Sequence, residues 1–482
     1  MNKVYLFVVA FCFVAAQLFG QQIPATEVRA VWLTTNYGLD WPKNNTSVES
    51  QKRELIQILD KLQQYNFNTI FFQVRSRGEV MYKSKYEPMS SLIIGSQSAG
   101  NTFDPLAFAI EESHKRGLEC HAWLVTYPLG GNKQVRSLGI KSVTKKIPGI
   151  TKQYKSEWFL DPGNPKTDDY LLSLVKEIVD GYDVDGIHFD YIRYPDSGKF
   201  PDDGMYRLYG KGKSKEQWRR DNITRFLTKV NSWVREAKPW VQVSCAPLGR
   251  YRSLNGNGRG WTAYETVYQD VSSWIQNGVV DAIYPMMYYD DQLFYPYVSD
   301  WKSIANDRIF VPGLGAYQMV ELGWSKTDIL EQIDYSRIQE TNGQIYFRAE
   351  NVLSNTKGIL NSIQELYKYP AKLPAMTWLK DTVTDVPFDL TAENVEEAFQ
   401  LKWKIKNPKV RKTYTIYRSE SDSIDINNGK NVLATGLRNS EFIYQPPKDG
   451  NAYYYFISAS DSYHNESEIS YPAFFWHSDT IK

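Results

Sequence analysis

With 482 residues the chain is long enough for two domains, and 42% hydrophobic against 23% charged residues is ordinary globular composition with ample material for a core. A formal net charge of +1, a sequence pI near 7.6 and the lack of a basic run give no electrostatic pull toward nucleic acid or an anionic membrane, which excludes nucleic-acid binding. Aromatic residues reach 15%, with 34 Tyr and 14 Trp, enough to offer ring faces to flat apolar ligand surfaces as well as to fill cores.

The first residues, "MNKVYLFVVAFCFVAAQLFG", carry one positive charge at Lys3 and then an uncharged apolar run from Val4 to Phe19. That run falls short of the roughly 18–20 residues a spanning helix wants, so residues 1–20 read as a secretory signal peptide. Cleavage after Ala16 and after Gly20 both fit. The expected location is the periplasm, the cell surface or the medium, with no membrane span. Two further cysteines, Cys120 and Cys245, fall in apolar strands and are expected as buried free thiols; the chain has no CxxC pair for zinc.

From residue 28 short apolar strands alternate with amphipathic helices. Strands are expected at Val28 to Asn36, Thr69 to Arg77, Glu119 to Tyr127, Gly186 to Tyr194, Trp240 to Pro247, Asp281 to Tyr289, Ile309 to Tyr317 and Gly343 to Glu350. Between them lie helical patterns such as "ESQKRELIQILDKLQQYN", "DPLAFAIEESHKRG", "DDYLLSLVKEIVDGY" and "KEQWRRDNITRFLTKVNSWVREA". Eight β-then-α units predict an α/β fold, a closed (β/α)8 TIM barrel over residues 27–370, with an open doubly wound sheet as the alternative. Loops entering the strands are short. Loops leaving them are long, among them residues 78–103, 128–167, 195–214 and 248–266, which places the active rim at the carboxyl ends.

Strand parity separates two faces. In the fourth strand Ile187, Phe189 and Tyr191 suit the helix layer, whereas His188, Asp190 and Ile192 share the face turned to the axis. The same split sets Phe72 and Val74 against Gln73, Arg75 and Arg77, and Ala122 and Leu124 against His121 and Trp123. After Tyr369 the pattern changes: residues 371–388 hold prolines and no helical stripe and read as a linker. Residues 389–482 hold strands without helices and predict a small all-β sandwich.

The segments "EVRAVWLTT", "FNTIFFQVRSRGEVMYKS", "DPLAFAIEESHKRGLECHAWL", "WFLDPGNP", "DGIHFDYIRYP" and "DAIYPMMYY" together resemble the glycosyl-hydrolase-like ten family, over roughly residues 27 to 370. That resemblance implies a bacterial secreted barrel protein regarded as a glycosidase, with some members linked to cell-wall glycan. The last segment resembles a fibronectin type III module through Leu401-Lys402-Trp403, Tyr414 to Arg418 and "YYYFISASDSYHNES". A more distant likeness is to chitinase-type barrels, whose fourth strand reads Asp-Gly-x-Asp-x-Asp-x-Glu. Asp185, Gly186 and Asp190 match, but His188 replaces an aspartate and Ile192 stands where the acid glutamate belongs.

Glycoside cleavage needs two carboxyl groups, one to protonate the leaving oxygen and one as nucleophile or base. Asp190 is expected as nucleophile or base, with Arg193 and His188 near it, and Glu79 as its acid partner; Asp290 and Glu350 are alternatives to Glu79. Arg75, His121, Trp123, Tyr288 and Asn36 are expected to line the substrate pocket. Asp202 and Asp203 read as a solvated turn in preference to a calcium site. No cofactor and no metal are expected, and the polysaccharide substrate would be met by a monomer. Two other readings stand beside this one: a non-catalytic glycan-binding barrel that has lost its acid, and a metal-dependent amide or acetyl hydrolase. The latter needs clustered histidines, and only His121 and His188 fall in barrel strands.

Overall fold

The computed structural model describes residues 23–43, 47–95, 102–196, 198–254, 260–380, 384–395, 398–446 and 451–476. The leader read over residues 1–20 lies outside them. Eight parallel strands follow in chain order: β1 (Val28–Leu33), β2 (Thr69–Ser76), β3 (Glu119–Val125), β4 (Gly186–Asp190), β5 (Gln242–Cys245), β6 (Ala282–Ile283), β7 (Ile309–Phe310 with Gly313–Leu314) and β8 (Gly343–Tyr346). Each pairs with the next, and β8 pairs with β1. The ring closes through β7, whose Val311 N–H donates to Ile283 O at 3.1 Å while Pro312 O accepts from Ile345 N–H at 3.2 Å. Pro312 interrupts β7 where a proline has no N–H to give its neighbour. The expected closed barrel is therefore the observed fold, and the open sheet is excluded.

A helix follows each strand: Val48–Gln64, Pro105–Lys115, Pro165–Gly181, Lys215–Ala237, Val271–Gln276, Asp291–Ala305, Lys326–Ile338 and Ile359–Leu366. Their starts are written in the sequence. The side chains of Ser47, Asp104, Asn164, Ser214, Asp270 and Ser325 each accept a backbone N–H of the first turn, and Pro105 and Pro165 occupy first helical positions where no N–H is needed. None of the helices among the described residues is long and apolar enough to cross a membrane.

Parity sorts the core into two layers. Ile187, Phe189, Phe72, Val74, Val243 and Cys245 pack outward under the helices, while Trp32, Phe71, Trp123, Ala246, Tyr284 and Ile345 fill the barrel. Ile192 departs from its expected axis-facing position. Tyr191 adopts a left-handed backbone conformation at φ 48°, the strand ends at Asp190, and Ile192 turns into the outer apolar layer. Cys120 and Cys245 are buried and free, on strands separated by β4.

Beyond the barrel, β9 (Phe388–Val395), β10 (Ala398–Lys404), β11 (Thr413–Ser419), β12 (Val432–Leu437), β13 (Glu441–Tyr444), β14 (Ala452–Ser460) and β15 (Ala473–Trp476) form two antiparallel sheets. One is ordered β9-β10-β13 and the other β12-β11-β14-β15, around Leu401, Trp403, Tyr414, Ile416, Tyr455 and Ile457. These sheets dock under the amino end of the barrel through charge. Asp185, just before β4, accepts from His114 Nε2 at 2.8 Å, from Arg438 Nη2 at 3.1 Å and from Arg411. Glu119 accepts from His464 Nε2 at 2.7 Å and from His121 Nε2 at 2.9 Å. The Asp202–Asp203 pair does not form a solvated turn. Asp202 is buried in a two-pronged ion pair with Arg219, at 2.7 and 2.9 Å, and Asp203 opens the helix Asp203–Tyr209.

Candidate active site

A cavity of about 830 Å³ opens at the carboxyl ends of the strands. Its walls come from the strand ends, from Trp261 on the loop after β5 and from a small antiparallel sheet inserted after β3. That inserted sheet, Pro128–Gly131, Thr151–Tyr154 and Glu157–Leu160, stands inside the long loop of residues 128–167 and brings Tyr154, Lys155, Glu157 and Phe159 to the cavity.

Asp190 lies in this cavity at the end of β4, only 6% exposed. Its Oδ2 accepts the Trp123 indole N–H at 3.2 Å and its Oδ1 accepts the Tyr191 N–H at 2.6 Å. Burial raises its pKa to about 6, against the opposing pull of the Arg193 guanidinium and of those two N–H donors. Arg193 lies over the Tyr191 ring at 4.6 Å, and its Nη1 is buried without a hydrogen-bond partner among the described residues. Tyr288 stacks on Phe347 with centroids 5.5 Å apart and meets Trp32 edge-on, so three aromatic rings close the floor and one side. Asn36 lines the cavity. Its backbone N–H, with those of Thr35 and the Thr34 hydroxyl, converges on Gln73 Oε1 at 2.8–3.0 Å and ties the ends of β1 and β2 together.

Asp190, Trp123, Arg193, Tyr288 and Asn36 are thus brought together; the other expected residues are not. Glu79 sits on a short strand, Glu79–Val80, that folds back on β2, and it lines an adjoining cavity instead. A register shift between Gln73 and Arg75 pairs Arg75 with the outward-facing Leu124, so it leaves the axis side and is wholly buried, paired with Glu87 at 2.7 and 2.8 Å and donating to Thr126 O at 2.9 Å, which leaves it no capacity for a ligand. His121 lies at the amino end of the barrel against Gly186, where a β-carbon would approach its Nδ1 to 2.3 Å. This requires glycine after Asp185 and removes His121 from the rim that holds the cavity.

His188 lies one layer below the cavity. Its Nε2 accepts the Trp32 indole N–H at 3.2 Å, so the proton is on Nδ1, which donates to Ser244 Oγ at 3.0 Å. Burial, and then the neighbouring His121, hold its pKa well below the usual value, and the ring is a neutral support for Trp32. Asp290 is exposed before the helix Asp291–Ala305 and outside the cavity wall. Glu350 also lies outside it, paired with Lys43 at 2.5 Å. His121 and His188 satisfy parity, but their height along the barrel keeps them from the cavity.

Sequence reasoning missed Glu157, whose Oε1 accepts from Arg77 Nη1 at 3.3 Å across the cavity mouth. It also missed Asp196, held by Lys155 at 2.6 Å and the Tyr154 hydroxyl at 2.9 Å. The usable signal was composition: the long loop after β3 carries "TKQYKSEWFL", two short alternating runs around a turn. Tyr37, Arg77 and Tyr191, at the ends of three strands, all adopt left-handed backbone conformations with φ of 54°, 54° and 48°. For bulky residues this costs on the order of 1–3 kcal/mol each, and such strain gathers at functional sites. Among the described residues no group of three or more His, Cys, Asp or Glu is placed to hold a metal ion.

The family model described as Glycosyl hydrolase-like 10 matches residues 27–305. Glycosyl hydrolase YngK of Bacillus subtilis (strain 168) is 31% identical over 476 residues, covering 92% of each chain. Glycosyl hydrolase DigH of Escherichia coli (strain K12) is 30% identical over 379 residues, 69% of this chain and 86% of that one. Among solved structures, the PgaB (BpsB) glycoside hydrolase domain from Bordetella bronchiseptica covers 71% of this chain and 99% of its own, at 15% identity and a TM-score of 0.49.

Proposed function

Since the chain belongs to the glycosyl hydrolase-like 10 family, we propose that it is an exported, monomeric glycoside hydrolase cleaving O-glycosyl bonds in a polysaccharide. Bacterial cell-wall glycan, or another N-acetylhexosamine polymer, is the substrate class this reading favours. The observation that carries it is Asp190, a buried carboxyl at the floor of an aromatic-lined cavity with a pKa raised to about 6. A carboxyl so placed keeps a proton available near neutral pH, which suits the donor to a leaving glycosidic oxygen better than the nucleophile that its position in the sequence suggested. Water then adds at the anomeric carbon, giving up a proton to the second carboxylate, as the glycosidic oxygen leaves with the proton of Asp190.

Glu157 replaces Glu79 as the second carboxylate of the proposal, because it lines the same cavity as Asp190, with Arg77 beside it. The position where chitinase-type barrels carry their acid is closed to chemistry here, since Ile192 is buried among apolar side chains. Arg193 Nη1, buried and unpartnered, is free to bond a substrate oxygen. The C-terminal sheets, a fibronectin type III-like module on this reading, brace the barrel from below.

The test is incubation with purified glycan strands, scored by new reducing ends and product masses. Wild type should release products. Asp190→Asn should abolish release while still binding the strands, and unchanged turnover would overturn the assignment. If wild type releases nothing at any pH yet binds, the chain is a glycan-binding barrel; if chelation stops release and Asp190→Asn does not, the metal-dependent reading holds.

A further inference from the structure

We propose that the cavity beside the Asp190 site is a second sugar-binding subsite, so that the groove takes a linear polysaccharide across the barrel mouth and cuts it internally. This rests on the hydrolase reading above and adds to it the mode of attack. The neighbouring cavity, of about 440 Å³, shares Asn36 and Ser76 with the first. The Ser76 hydroxyl and Asn36 Oδ1 lie 3.1 Å apart and form the common wall, so the two spaces adjoin along one ridge.

The lining of this second space is suited to sugar hydroxyl groups. Ser90, Ser91, Gln134 and Glu79 face it, and Glu79 is already oriented by the Ser91 N–H at 3.0 Å and by Gln134 Nε2 at 3.5 Å. Burial raises the pKa of Glu79, consistent with a carboxyl kept for hydrogen bonding in a sheltered pocket. Tyr37 lines it too, a residue 68% exposed with a left-handed backbone, and the Arg77 guanidinium lies 5.5 Å from its ring centroid. A strained backbone that holds an apolar ring out into water calls for a ligand face to cover it.

An aromatic ring also marks the far end. Trp261, 50% exposed, lines the Asp190 cavity from the loop after β5. In a ring of eight strands β1 and β5 stand opposite one another, so Tyr37 and Trp261 bracket a path across the axis with Asp190 beneath it. Flat exposed rings at both ends of a polar groove fit a chain of equatorially linked pyranoses, whose CH faces stack on aromatics while their hydroxyls meet the polar walls.

The experiment uses N-acetylhexosamine oligomers of two to eight units and the full chain, with kcat/KM and product lengths read by mass analysis. Wild type should cut the longer oligomers internally, with kcat/KM rising with length. Tyr37→Gly removes the ring and suits the left-handed backbone, so it should fold; it should lower kcat/KM about five- to tenfold on the longest oligomers and leave the shortest unchanged. Release of single terminal units only, or identical length dependence in wild type and Tyr37→Gly, overturns the subsite. If wild type cuts nothing, the hydrolase reading fails separately, and octamer binding measured by calorimetry decides: weaker binding to Tyr37→Gly supports the subsite, and equal binding overturns it.

Discussion

The indole N–H of Trp123 on β3 donates to the Asp190 carboxylate on β4 at 3.2 Å, so one side chain both walls the cavity and bonds the ionised form of its central acid. The pair sits side by side because Trp123 and His188 are register partners and Asp190 is two residues further along, on the same face. A hydrogen bond to the charged form lowers a carboxyl pKa, so the value of about 6 is what remains after this donor has acted against burial.

Trp123→Phe should therefore raise the Asp190 pKa further and move the corresponding limb of the pH–rate profile to higher pH. Lost packing of the indole rim should be small beside the lost charge-assisted bond, about 1.5–3 kcal/mol. Profiles of kcat/KM between pH 4 and 9 check this, and a limb that stays in place or moves to lower pH sinks it.

Asp190 also lowers the stability of the fold that holds it. Its folded pKa of about 6 exceeds the ordinary 3.8, so the native state binds the proton more tightly. Stability from this group is highest at low pH, falls as pH rises from 3.8 to about 6, and is level above. Asp190→Asn, which never ionises, should be more stable than wild type at pH 7 by on the order of 1–3 kcal/mol while being inactive. Denaturant melts at pH 7 and pH 4 should show the gain shrinking at the lower pH.

The interface below the barrel is weakened at both ends of the pH range. Burial acts to lower the His464 pKa, but the Glu119 carboxylate and the Pro374 carbonyl raise it above 6.5; for Glu119, burial is outweighed by His464 and His121, and its pKa falls to about 2. The His464 contribution is complete below pH 6.5 and fades as pH rises through its raised value. That of Glu119 is complete above 4.5 and fades toward 2. The docking of the C-terminal sheets should thus be strongest between about pH 4.5 and 6.5. Thermal melts of wild type and His464→Gln across pH 3–9 should differ most inside that window.

Asp185→Ala should be the most damaging of these changes. It leaves His114, Arg411 and Arg438 converging on an emptied site and the Cys120 N–H without its 2.8 Å partner. Breaking a buried charge cluster from one side costs about 3–5 kcal/mol. Urea melts should show a loss of that size, and a change under 1 kcal/mol would mean that the network does not hold the two parts together.

His188→Ala should cost about 2–4 kcal/mol, through the cavity left and the orphaned Trp32 N–H. Because the ring stays neutral in the native state, no limb of the pH–rate profile between pH 5 and 8 should disappear with it. Loss of such a limb would show that His188 titrates in the reaction.

Much of this molecule was legible in its sequence. The alternation of strand and helix, the Ser, Asp and Asn caps and the long loops on one rim pointed to a barrel and to the rim that carries the cavity, because helix starts and strand parity depend on near neighbours in the chain. Parity also placed Asp190 and Trp123 toward the axis. It could not say at what height along the axis a residue sits, which is why His121 and His188 were expected at the mouth and lie below it, nor foresee the register shift after Gln73 that turns Arg75 to the outer layer. Height follows from register between strands far apart in sequence, and only the closed ring sets that. The exchange of Glu79 for Glu157 has the same origin: an inserted sheet after β3 folds over the mouth through contacts that no local pattern encodes. The role of Asp185 was likewise decided by tertiary structure, since its charge is answered by arginines more than two hundred residues away.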